Sequence, residues 1–139
     1  MAEARRRRGL IDTSVVIDLG QIDAEELPSE LAISAVTLAE LAAGPHATTE
    51  AAERARRQDR LQRVEAAFEA LPLDAAVARA YGRTYAAVVA AGRKARGRRA
   101  FDLLIAATAL SRELPLYTCH PADFRELGDL LEVVPVPTP

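Results

Sequence analysis

Four carboxylates in this 139-residue chain, Asp12, Glu40, Asp102 and Asp123, stand where their types and surroundings could do chemistry. Asp12 ends the short apolar run Leu10-Ile11. That is the C-terminal end of a strand, and open parallel sheets bind ligands in the crevice beyond such ends. Its competing use is as a helix cap, although Thr13 and Ser14 are capping residues too, so the following helix has no need of Asp12 for that purpose. Glu40 lies in Val36-Thr37-Leu38-Ala39-Glu40-Leu41-Ala42, a small apolar stretch with no Lys or Arg within four residues to pair with it. The bland alternative is a solvated glutamate. Asp102 shares a helix face with Ile105, Ala106 and Ala109, where an unpaired carboxylate is costly unless a cation or a proton relieves it. It could instead cap a helix starting there, or be neutralised by nearby arginines. Asp123, in the turn Thr118 to Phe124 after another strand, reads on its own as a cap.

Together these acids fall at one edge of one sheet, from distant segments. Clustered carboxylates raise one another's pKa and destabilise a fold unless a hard cation joins them. An all-oxygen set suits Mg²⁺, with Mn²⁺ as a substitute, whereas zinc wants His or Cys. Neither His46 nor His120 has a second histidine at ligand spacing, and Cys119 is the only cysteine. There is no Gly-rich phosphate loop and no Gly-x-Ser-x-Gly elbow. A metal held by carboxylates can orient a water, lower its pKa and stabilise charge on a phosphoryl group.

The bases are nearly all arginine, Lys94 being the only lysine. Arg93, Lys94, Arg96, Arg98 and Arg99 crowd together with no acid between them. Such a cluster suits phosphate contacts, for which Arg93, Arg96, Arg98 and Arg99 are the candidates; the alternative is a solvated loop. A net charge of -2 argues against an indiscriminate nucleic-acid coat.

The elements that must position these groups are short strands alternating with helices. Leu10-Ile11, Leu31-Ala32-Ile33, Leu116-Tyr117 and Val133-Val134 read as strands. Helices are expected after Asp12, with Val15, Val16 and Leu19 inward; over Val36 to Ala43, capped by Ser34 and stopped at Gly44-Pro45; and from Glu50 to Leu71, ended by Pro72. Two more are expected: one capped by Asp74 with a stripe of Val77, Tyr81, Tyr85 and Val88, and one from about Asp102 to Arg112. This order predicts an α/β domain with a short, mainly parallel sheet flanked by helices. The 29 alanines favour helix and close packing. Residues 1–8 read as a basic mobile tail and 9–139 as the domain.

At 50% hydrophobic and 27% charged, the chain can bury a core, which excludes a disordered or disulfide-stapled class. No apolar run approaches a membrane span, and Arg5 to Arg8 lead into no apolar signal core. A reducing, cytoplasmic setting without membrane is expected.

Leu10-Ile11-Asp12-Thr13-Ser14-Val15, Thr37-Leu38-Ala39-Glu40-Leu41 and Phe101-Asp102-Leu103-Leu104-Ile105-Ala106-Ala107 resemble the motifs of PIN-domain nucleases, and Thr118 to Phe124 matches the family's last motif. In order and spacing they span essentially the whole chain, and they look most like the VapC toxin branch of bacterial toxin–antitoxin pairs. The resemblance implies an endoribonuclease that cuts structured RNA, a tRNA or an rRNA loop, by attack of metal-activated water, leaving a 5′-phosphate and a 3′-hydroxyl. It assigns Asp12 and Asp102 as main Mg²⁺ ligands, Glu40 as the third member of the pocket and Asp123 as the fourth acid. Thr13, Ser14 and Thr118 would be hydroxyls orienting the carboxylates. The family often has Asn or Asp two residues after the threonine; here that position is His120, so Asp123 and His120 both stay open as completing the site. The resemblance further implies a homodimer and a tight VapB-type antitoxin whose tail fills the groove and blocks the site, with a hetero-oligomer of the two. Two rivals remain: a silent interaction or RNA-binding module, and a phosphoryl-transfer hydrolase with Asp12 as nucleophile. The latter chemistry usually wants a second Asp where Ser14 stands.

Overall fold

Successive side chains on a strand face opposite ways, so strands reading Leu-Ile, Ala-Ile and Leu-Tyr must be covered on both faces. The computed structural model, which describes residues 7–139, meets that demand with five strands and five α-helices among the described residues. The strands are β1 (Arg8–Ile11), β2 (Glu30–Ser34), β3 (Ala70–Leu71), β4 (Leu116–Thr118) and β5 (Val133–Pro135). The helices are α1 (Thr13–Ile17), α2 (Ala35–Ala43), α3 (Ala51–Ala67), α4 (Ala75–Ala90) and α5 (Arg98–Ser111). The sheet order is β3-β2-β1-β4-β5, and every pairing is parallel. Leu10, Ala32 and Leu116 pack with Val88 of α4 and Leu103 and Ile105 of α5. Ile11, Ile33 and Tyr117 pack on the other face with Val15 and Val16 of α1 and Val64 of α3. Gly9 lets β1 lie against the Tyr117 ring, since a Cβ there would fall 2.6 Å from the ring's Cε1.

The order reverses at β1, whose successor β2 lies on one side and β4 on the other. The crevice beyond the carboxyl ends of β1 and β4 is therefore the switch point of the sheet.

The structure departs from the sequence expectation in four places. The helix expected to reach Leu71 stops at Ala67, and Ala70–Leu71 pairs with Ile33 and Ser34 as a fifth strand. The residue before Pro72 is biased to extended backbone, and β2 offers it ladder partners. In α4, Ala80 and Thr84 join Val77 and Val88 in the buried stripe, while Tyr85 is exposed. α5 begins at Arg98 rather than near Asp102, because Gly97 takes a left-handed φ of +66° that starts the helix four residues early. Finally, β1 begins at Arg8, inside the segment expected as a tail. The Arg7 carbonyl accepts bonds from Glu30 N (2.7 Å) and Ser29 Oγ (2.8 Å). Residues 1–6 of that expected tail lie outside the described residues. Among the described residues no helix is long and apolar enough to cross a membrane.

Candidate active site

β1 ends at Ile11, and the backbone N–H of Asp12 still donates to Tyr117 O on β4 at 3.0 Å. This anchors Asp12 at the switch point, with its side chain buried. Its Oδ1 accepts from Ser14 Oγ (2.5 Å) and from Val15 N (3.3 Å), so Asp12 is itself the cap of α1. The expectation that Thr13 and Ser14 would relieve it of capping is therefore corrected: cap and crevice residue are the same side chain. Ser14 Oγ also accepts from Cys119 N at 3.2 Å, which joins the end of β1 to the end of β4.

Ser34 caps α2 by accepting from Thr37 N at 3.1 Å, and the helix then carries Glu40 back over the same crevice. Thr13 Oγ1 donates to Glu40 Oε1 at 2.6 Å and lies 3.0 Å from the fully buried Thr37 Oγ1. Thr13 and Ser14 thus do hold carboxylates. Thr118 does not: its buried hydroxyl accepts from His120 N at 3.0 Å and shapes the turn after β4.

Because α5 starts at Arg98, Asp102 sits in its second turn and caps nothing. The carboxyl of Asp102 is half-buried and has no hydrogen bond or ion pair among the described residues. Burial pushes its pKa up to about 6, helped by the negative charges of Asp123, Asp12 and Glu40 and opposed by Arg98. The three other acids are therefore close enough to act on Asp102. Asp123 is exposed, on the 3₁₀ segment Pro121–Leu127, and His120 is exposed before it.

Among the described residues, none of Asp12, Glu40, Asp102 and Asp123 has a cation at ion-pairing distance. No three acidic, His or Cys side chains converge tightly enough to enclose an ion by themselves. An oxygen-only set with an unneutralised, desolvated member fits Mg²⁺ or Mn²⁺ nonetheless. Mg²⁺ keeps several waters and is usually held by one or two carboxylates rather than by an all-protein cage.

The arginine cluster divides. Arg93 Nη1 pairs with Glu126 Oε2 at 3.0 Å, and Arg99 Nη1 lies 3.6 Å from Glu126 Oε1 and donates to the Asp123 carbonyl at 3.1 Å. Two of the four candidate phosphate contacts thus already hold a buried glutamate. Arg96 and Arg98 remain exposed. A groove of about 630 Å³ opens beside Glu40, lined among others by Thr13, Ile17, Arg60, Arg98 and Phe101.

Thr37, Arg60, Phe101 and Glu126 were not singled out from sequence. Phe101 stands four residues before Ile105 and so counts toward the apolar stripe, yet it is 49% exposed on the groove. Arg60 is one of many charges on α3, with nothing local to distinguish it.

Residues 9–130 match the PIN domain. Ribonuclease VapC5 of Mycobacterium tuberculosis is 41% identical over 113 residues, covering 79% of this chain and 81% of that protein. A crystal structure of VapBC-5 from the same organism, a member of the VapBC family of toxin–antitoxin systems, superposes with a TM-score of 0.79 at 38% identity. It covers 95% of this chain and 99% of that one. VapBC2 from Rickettsia felis, bound to a promoter DNA fragment, shares the fold with a TM-score of 0.71 at 21% identity, over 89% of this chain and 96% of that one. With the motifs, the fold and these relatives in agreement, the chain belongs to the PIN-domain family, in its VapC branch.

Proposed function

We propose that the chain is a divalent-metal-dependent endoribonuclease toxin restrained by a VapB-type antitoxin. The observation that carries this reading is Asp102, a desolvated carboxylate without a partner among the described residues, under the charge of three more acids at the switch point of a parallel sheet. Asp12, Glu40 and Asp102 would hold Mg²⁺ or Mn²⁺, which when bound lowers the pKa of water and offsets charge on a phosphoryl group. Ser14 and Val15 N fix one oxygen of Asp12, and Thr13 fixes one oxygen of Glu40, so each presents its other oxygen in a defined direction. Asp123 completes the negative field around Asp102. In-line attack of water on phosphorus breaks the P–O3′ bond and leaves a 5′-phosphate and a 3′-hydroxyl. The substrate is a structured RNA with a reachable loop, a tRNA or an rRNA, and the reaction belongs in the cytoplasm.

The names of the relatives support the same reading: one is a ribonuclease, and another is a member of a toxin–antitoxin family. The reading carries with it a homodimer and a heteromeric complex with the antitoxin. Expression of the parent chain should arrest growth and generate new 5′-phosphate ends in total RNA. The Asp102→Asn variant should do neither while still binding the antitoxin. Equal toxicity of the two would overturn the acid pocket, and a parent chain that cleaves no RNA with Mg²⁺ or Mn²⁺ would return the protein to the class of silent interaction modules.

A further inference from the structure

The groove beside Glu40 contains cations and an aromatic ring that the acid pocket does not use. Its neighbour Arg57 is engaged, donating from Nε to Glu53 (2.8 Å) and from Nη1 to the Gly44 carbonyl (2.9 Å). Arg60 on α3 and Arg98 at the start of α5 line the same groove, and neither has a hydrogen bond or ion pair among the described residues. Between α1 and α5, Phe101 is 49% exposed and Ile17 44% exposed. A half-exposed ring on a groove wall, adjoining Asp102 in the chain and accompanied by two unpaired guanidiniums, has the chemistry of a nucleotide: a flat face for a base and cations for phosphates.

Resting on the ribonuclease reading above, we propose that this groove is a nucleotide subsite. Phe101 stacks on the base next to the scissile phosphate, and Arg60 and Arg98 take phosphate oxygens of adjoining nucleotides. Glu40 lines the groove, so an RNA reacting at the acid pocket has these walls beside it for its flanking nucleotides. Only an unpaired, splayed base offers its face to a ring, so the subsite selects a single-stranded segment over a duplex. A tail of the proposed antitoxin could also meet the arginines and the ring; continuity with the acid pocket through Glu40 favours RNA, and the test separates the two.

The test uses the full chain in an Asp102→Asn background and a short fluorescein-labelled single-stranded RNA, with its duplex for comparison. Phe101→Ala should weaken single-strand binding by roughly five- to a hundredfold, and Phe101→Leu should fail to restore it. Arg60→Gln should flatten the salt dependence by about 0.7 in log–log slope. The chain has no tryptophan, so Phe101→Trp supplies a sole reporter, which should keep affinity and lose emission when RNA binds. Because Phe101 is half-exposed, melting temperatures should stay level across the series. Full affinity in Phe101→Ala, or unchanged emission from Phe101→Trp at saturating RNA, overturns the subsite. So does a loss confined to antitoxin capture, which would make the groove a peptide site. If the parent itself cleaves no RNA, the ribonuclease reading falls with it; if the parent cleaves and Phe101→Ala cleaves and binds equally well, only the subsite falls.

Discussion

Thr13 Oγ1 and Glu40 Oε1 lie 2.6 Å apart although 27 residues separate them in the chain. A hydroxyl this close to a carboxylate makes a charge-assisted bond, stronger than a neutral one and more directional. Thr13→Val removes that donor and leaves Glu40 free to rotate in the groove. The RNA-cleavage rate should fall by about tenfold or more, with little loss of stability, and Thr13→Ser should recover most of it. Single-turnover cleavage alongside circular-dichroism melts measures both; parental rates in Thr13→Val would show that Glu40 needs no fixing.

Ser14 has two partners, the Asp12 carboxylate and the Cys119 amide. Ser14→Ala leaves the Cys119 N–H without its acceptor and one Asp12 oxygen without its nearest donor. An unfolding free energy lower by about 1–3 kcal/mol is expected. Urea titration reads this directly, and an unchanged midpoint would mean that water replaces the hydroxyl without penalty.

Asp102 supplies a pH dependence with a defined sign. Its pKa is raised from 3.8 to about 6, so between those values the folded protein holds a proton that the unfolded chain has released. Stability therefore falls as pH rises through that window and stays reduced above it. In chelator, the parent should unfold at higher urea at pH 5 than at pH 7, relative to Asp102→Asn, in which the difference should flatten. Adding Mn²⁺ at pH 7 should raise the parent's melting temperature more than that of Asp102→Asn. Matching profiles for the two proteins in both experiments would remove Asp102 as the strained member of the pocket.

Glu126 is 5% exposed at its side chain and holds Arg93 and Arg99 together. Among the described residues one oxygen, Oε1, has no hydrogen-bond donor, and the carboxylate is compensated by Arg93, Arg99 and the Nε of Arg125, which lies 3.3 Å from Oε2. Glu126→Gln removes the charge and leaves the arginines facing each other. A loss of about 1–3 kcal/mol in chemical denaturation is the expected result. No change would place the two arginines in solvent rather than on Glu126.

Strand ends and caps were legible because they are local. Leu10-Ile11 before Asp12, Ser34 before α2 and Asp74 before α4 each declare themselves within four residues. A mainly parallel sheet followed from apolar strands separated by helical patterns, and every pairing proved parallel. What escaped depends on distant partners. Ala70–Leu71 is a strand only because β2 lies beside it, and no pattern of two residues signals that. The start of α5 turned on the left-handed Gly97, which moved Asp102 from a capping position into the second turn and removed its structural alternative. The arginine cluster looked uniform in sequence, yet Glu126, far along the chain, divides it into internal and exposed members. The carboxylates were recognisable by type, whereas the hydroxyls that aim them were separable only by geometry: Thr13 and Ser14 bond acids, and Thr118 bonds a turn.

The bond between Ser14 and Cys119 spans 105 positions, and the β1–β4 ladder beside it joins Leu10 to Leu116. During synthesis, most of the chain must therefore leave the ribosome before the crevice has its second wall. Asp12 emerges early, but it has no β4 to be aligned against until residues near Tyr117 are free. Closing so long a loop also belongs to the slow class of folding events. A nascent or C-terminally truncated chain can thus hold the Thr13–Glu40 bond, but Asp12 has no second wall, and the crevice closes only when β4 joins β1.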